Sequence, residues 1–144
     1  MPDRLTKPRQ SGLTMVMDKG LSLRQVEDFI EVAGVHTDIV KLGWATSFVT
    51  PNLKEKLAIY RSAGIPTYFG GTLFEAFAIR NQFDDYRRVL EEFGMEYAEI
   101  SDGSMDIEHD EKCEFIRKLS TQVTVISEVG SKESRMFISF ILFL

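Results

Sequence analysis

The feature that most constrains this chain is a repeat. Short apolar runs begin near Leu13, Asp38, Thr67, Tyr97 and Val123, and a helix-patterned stretch follows each of the first four. The recurrence of about 25 to 30 residues is the length of one strand-plus-helix unit, eight of which build a barrel of roughly 250 residues. The runs are too short and too evenly apolar for a sheet with one wet face. They suit parallel strands covered by helices.

The local signals agree with this reading. Leu13–Met17 is the first strand. Leu23, Val26, Phe29, Ile30 and Ala33 then fall on one helical face. Ser22 is the expected N-cap, Gln25 completes a capping box, and Gly34 stops the helix. Strands are expected at 38–43, 67–69, 97–100 and 123–127. Helices are expected at 52–63, at 73–93 with a break or bend near Asn81–Phe83, and at 108–119. A doubly wound open sheet is the main rival architecture. No G-x-G-x-x-G follows the first strand, which lowers that rival without removing it.

Three regions follow: a polar N-terminal arm (1–12), a partial (β/α) barrel (13–132) and an atypical apolar tail (133–144). About five units fit the 144 residues, and a closed barrel needs three more. The tail ends MFISFILFL, with Ser139 its one polar residue from Met136 on. It reads as a foreign or frame-shifted end, or alternatively as an edge strand or apolar helix docked on the sheet. The open sheet would expose an apolar edge, which predicts pairing into a homo-oligomer.

Composition narrows the function. A net charge of −5 disfavours a phosphate-backbone partner, so no nucleic-acid binding is expected. No apolar run approaches the length of a membrane-spanning helix. The arm lacks the apolar stretch of a secretory leader. One cysteine, Cys113, fits a cytoplasmic setting.

Parallel α/β folds bind ligands at the carboxyl ends of their strands. Those positions hold Asp18 and Lys19, then Lys41, Gly43, Trp44, Thr46 and Ser47, then Gly70, Gly71 and Thr72. Glu99, Ser101, Asp102 and Ser104 follow, and finally Glu128, Gly130 and Lys132. Each rim offers an ion, a glycine or a hydroxyl. Lys41 stands inside an apolar strand, where a lone ammonium is costly. It either serves a wet reactive centre or forms an ion pair within the barrel, with Glu99 as one candidate partner. Glu99 and Glu128 suit Mg²⁺, a cation that takes oxygen ligands, or structural salt bridges. Asp18-Lys19 reads as functional or as a turn with a solvated lysine. Gly70-Gly71 reads as a phosphate cradle of backbone N–H groups or as a tight turn. Asp102-Gly103 reads equally well as a plain turn. His36, His109 and Cys113 are discounted as catalytic groups.

Five stretches carry a resemblance. KPRQSGLTMVMDKGLSLRQVEDF (7–29), DIVKLGWATS (38–47), YFGGTLFE (68–75), EISDGSMDI (99–107) and SEVGSK (127–132) run in the order of the phosphosulfolactate synthase family of coenzyme M biosynthesis. The resemblance implies a TIM-like (β/α)8 barrel. It implies a carbon–sulfur lyase that adds sulfite to phosphoenolpyruvate, assisted by Mg²⁺, to give (2R)-phospho-3-sulfolactate. Under that reading Lys41, with Lys19 second, is the catalytic candidate. Asp18, Ser47, Gly70, Gly71, Thr72, Ser101 and Lys132 are substrate-binding candidates, and Glu99 and Glu128 are metal candidates. The partners are small anions. Family pattern continues past SEVGSK and this chain does not. Two alternatives therefore stand beside the lyase: a non-catalytic barrel relative with a stress or binding role, and an inactive truncated gene product.

Overall fold

The computed structural model describes residues 5–129 and 140–143. Its strands are β1 (Met15–Asp18), β2 (Ile39–Leu42), β3 (Thr67–Phe69), β4 (Tyr97–Ile100), β5 (Thr124–Val129) and β6 (Phe140–Phe143). Its α-helices are α1 (Leu23–Ala33), α2 (Leu53–Ser62), α3 (Gly71–Ala78), α4 (Phe83–Glu92) and α5 (His109–Leu119). The sheet order is β1-β2-β3-β4-β5-β6. The first five strands are parallel, and each lies beside its predecessor. A doubly wound sheet reverses direction at its switch point, and this sheet does not. It is a run of barrel-type βα units, as the repeat predicts. β6 pairs antiparallel with β5, Val129 opposite Phe140. The remainder of the 133–144 tail lies outside the described residues.

Local chemistry sets the boundaries. The Ser22 hydroxyl accepts from the Gln25 N–H, and the Gln25 side chain accepts from the Ser22 N–H, closing the capping box. Gly64 and Gly94, at φ +65° and +61°, turn the chain after α2 and α4, a conformation that a Cβ disfavours. The long helical pattern splits into α3 and α4 at Asn81, which takes φ +56°. Asparagine tolerates that region better than most residues.

Strand alternation sorts the side chains onto two faces. Val40, Leu42, Phe69, Ala98, Ile100 and Val125 pack outward in one core with Val26, Leu57, Phe74, Leu90 and Leu119 of the helices. Met15, Ile39, Tyr68, Tyr97 and Ile126 form a second cluster on the opposite, inner face. Lys41 and Glu99 share that face, two residues beyond Ile39 and Tyr97. At the amino ends of the strands the arm is tied down by a buried Arg9–Asp38 ion pair at 2.6 Å and by Lys7 donating to the Gly34 carbonyl.

Candidate functional site

The carboxyl-end layer of the inner face is polar and closed. Lys41 Nζ lies 2.6 Å from Glu99 Oε1, although 58 residues separate them in sequence. Glu99 is fully buried, and Lys41 is nearly so. The same carboxylate oxygen accepts the Gly71 N–H at 3.0 Å. Burial pushes the Glu99 carboxyl above the ordinary carboxylate range. The Lys41 ammonium and the Gly71 N–H pull it back, and the nearby Glu128 charge pushes it further up. Glu99 Oε2 is buried with no hydrogen-bond partner. Tyr68, beside Lys41 in the β2–β3 register, has its hydroxyl held neutral, first by burial and then by the Glu99 charge.

A second carboxylate group adjoins this pair. Ser101 Oγ donates to Glu75 Oε1 at 2.6 Å, lies 3.2 Å from Glu128 Oε2, and accepts the Gly103 N–H. Glu75 sits on α3 and is buried. Lys112, also buried, donates to Asp102 Oδ1 at 2.8 Å and to the Glu128 carbonyl at 2.7 Å. It thereby joins the β4 rim loop to β5.

The glycine pair is a packing device. A Cβ on Gly71 would lie 2.3 Å from Ser101 Cβ and 2.9 Å from Glu99 Oε1. One on Gly70 would lie 2.9 Å from Lys41 Cε and 3.1 Å from the Leu42 carbonyl oxygen. Both N–H groups have internal acceptors, Gly70 to Leu42 and Gly71 to Glu99. The two glycines let α3 start against the Lys41–Glu99 pair. Thr72 follows in the first turn of α3, half-buried.

Asp18 stands elsewhere. It is the last residue of β1 and shares the outward parity of Val16, facing the helices. Its Oδ2 meets Lys56 Nζ at 2.8 Å and the Tyr60 hydroxyl at 3.0 Å, both from α2. Its Oδ1 accepts the Gly20 and Leu21 N–H groups at 2.7 Å. The carboxylate thus has four internal donors and fixes the turn that carries Lys19. Lys19 is exposed, with Nζ 5.9 Å from the centroid of the Trp44 ring. Ser47 is buried in a 3₁₀ turn, Thr46–Val49. It lines a cavity of about 510 Å³ between that turn, α2 and α4, away from Lys41.

The structure therefore gathers Lys41, Glu99, Gly70, Gly71, Ser101 and Glu128. It sets Asp18 and Ser47 on the helical side and Lys19 on the rim. Lys132 lies outside the described residues. Sequence reasoning missed Glu75, Lys56 and Lys112. Each is a charge on a helix with a long-range partner, and nothing local marks it. Among the described residues no group of three or more His, Cys, Asp or Glu gathers as a metal centre. The donors that fit a hard cation are carboxylate oxygens, with Glu99 Oε2 open and Glu128 adjacent. No helix among the described residues is long and apolar enough to cross a membrane.

Residues 2–139 match the family model described as (2R)-phospho-3-sulfolactate synthase (ComA). The phosphosulfolactate synthase of Bacillus subtilis is 38% identical over 136 residues, 94% of this chain and 54% of that protein. That of Methanocaldococcus jannaschii is 44% identical over 126 residues, 85% of this chain and 50% of that protein. That of Methanothermobacter thermautotrophicus is 38% identical over 135 residues, 92% of this chain and 52% of that protein. The chain spans about half the length of the curated relatives it matches.

Proposed function

The chain belongs to the (2R)-phospho-3-sulfolactate synthase family, and on that premise we propose that its inner sheet face is half of an active site that adds sulfite to phosphoenolpyruvate. The observation that carries the proposal is the buried Lys41–Glu99 pair at the carboxyl ends of the parallel strands. A buried ammonium held by one carboxylate, with a free carboxylate oxygen beside it, is a proton-handling centre rather than a plain core.

The reaction divides into two steps. The sulfite sulfur attacks the methylene carbon of the enol phosphate and forms the C–S bond, and the alkene electrons move onto the substrate carboxylate. Lys41 then gives a proton to the adjacent carbon, and the carboxylate re-forms as that C–H bond closes. Glu99 pairs with Lys41 and aims it, and Tyr68 stands beside it on the neighbouring strand. Lys19, on the rim, meets the incoming anion. Ser101 and Thr72 are the hydroxyls that would hold phosphate or sulfonate oxygens. Glu99 and Glu128 would hold Mg²⁺, with waters completing its shell. Bound there, Mg²⁺ supplies positive charge to the carboxylate that gains electron density. A reducing cytoplasm is the proposed setting.

The test follows phosphoenolpyruvate by phosphorus NMR with sulfite and Mg²⁺. The chain is assayed alone and mixed with the second half of the Methanocaldococcus relative. The expected result is a new phosphate-ester signal that requires sulfite, in at least the completed barrel. No conversion by a folded, completed barrel would sink the proposal.

A further inference from the structure

The β2 rim loop holds an unusual conformation. Trp44 and Ala45 sit consecutively in left-handed backbone, at φ +57° and +53°. Residues with a Cβ adopt that region at a cost, and such strain persists where the surroundings fix it. Here it presents Trp44, 61% exposed, to the Lys19 ammonium. The other side of the contact is equally fixed. Asp18 locks the Lys19-Gly20-Leu21 turn through two N–H groups, and Lys56 and Tyr60 lock Asp18. A Cβ on Gly20 would touch Thr46 at 3.8 Å, so the two rim loops abut.

A second lysine over a ring gives the contrast. Lys54 lies over Phe93 but is also paired with Glu92 at 3.1 Å. Lys19 has no carboxylate partner among the described residues. A ring face attracts the ammonium through its quadrupole and accepts no conventional hydrogen bond, so the N–H donors of Lys19 stay open to a ligand.

We infer that Trp44 is a positioning residue that holds Lys19 at the mouth of the inner face as a receptor for a small oxyanion, phosphate or sulfite. The inference rests on the proposed reading of the site, since that reading supplies an anion to receive. The Asp18–Lys56–Tyr60 cluster anchors one side of the receptor and the strained Trp44-Ala45 backbone the other. Trp44 is the sole tryptophan of the chain, so tryptophan emission comes from this loop alone.

The experiment titrates the full chain with inorganic phosphate, sulfite and phosphoenolpyruvate in turn, following Trp44 emission, with calorimetry as a second readout. A saturable emission change is expected with at least one anion, and it disappears in Lys19→Met. Trp44→Phe, read by calorimetry, retains affinity within about twofold, whereas Trp44→Leu weakens it about two- to fivefold, the range of an exposed cation–π contact. Both Trp44 variants keep the wild-type melting temperature. The inference is overturned if no anion gives a saturable change, if the change survives in Lys19→Met, or if Trp44→Leu binds as tightly as Trp44→Phe. Binding without turnover leaves the inference standing and counts against the proposed reaction alone.

Discussion

Gly71 and Ser101 approach so closely that a Cβ on the glycine would stand 2.3 Å from that of the serine. Glu99 Oε1 would crowd the same Cβ at 2.9 Å, and hydrogen bonds to Glu99 and Glu75 tie Gly71 and Ser101 in place. Gly71→Ala should therefore cost about 1–3 kcal/mol, the usual price of overpacking. Urea denaturation would show this as a lower midpoint at unchanged slope. An unshifted midpoint would mean that α3 can retreat from β4.

Lys56 and Asp18 form a buried ion pair on the helical side. Lys56→Met leaves the Asp18 carboxylate buried with a lost partner and should destabilise by about 3–5 kcal/mol. Adding Asp18→Asn removes the stranded charge and should recover part of that loss. A double variant as unstable as the single one would show that the charge itself is not the source of the cost.

Tyr60, Tyr68 and Tyr86 all have hydroxyls pushed well above the ordinary value of 10.0, chiefly by burial. A group whose folded pKa is raised gives stability that is complete below its unfolded pKa and is lost as pH climbs past it. Above about pH 10 the unfolded chain releases three protons that the folded chain retains. Stability should then fall by about 4 kcal/mol per pH unit, or about 1.4 for each tyrosine. Circular dichroism and tyrosinate absorbance should change together in one cooperative step. Tyrosinate appearing before unfolding would contradict this.

Glu99 obeys the same sign rule. Its folded pKa is raised above 4.5, so its contribution is complete below that value and is lost as pH rises through the folded one. The stability of the wild type relative to Glu99→Gln should improve as pH falls from neutral toward about 4.5. Thermal melts of the two proteins across that range would show a gap that moves in this direction, or one that stays constant if Glu99 titrates normally.

Much of this was legible in the sequence, and the limits are physical. The five-fold recurrence, the Ser22–Gln25 capping box and the break at Asn81 are local signals, and each stands where its chemistry puts it. The Lys41–Glu99 contact was legible because a lysine inside an apolar strand demands a partner. Asp18 was not. It closes the four-residue β1, and one step of strand alternation separates the site face from the helix face. Lys56 reads as solvated surface until Asp18, far away in sequence, comes to meet it. Gly70 and Gly71 read as donors to a ligand or as a tight turn, and only the packed structure shows both N–H groups in use.

The most direct test of the central claim is the phosphorus NMR assay of sulfite-dependent phosphoenolpyruvate consumption with the double variant Lys41→Met, Glu99→Gln, which leaves no buried charge unpaired and so keeps the fold. With the completed barrel, the wild-type half should give product and the folded double variant none. Conversion at the wild-type rate by the folded double variant would place the chemistry elsewhere and contradict the account.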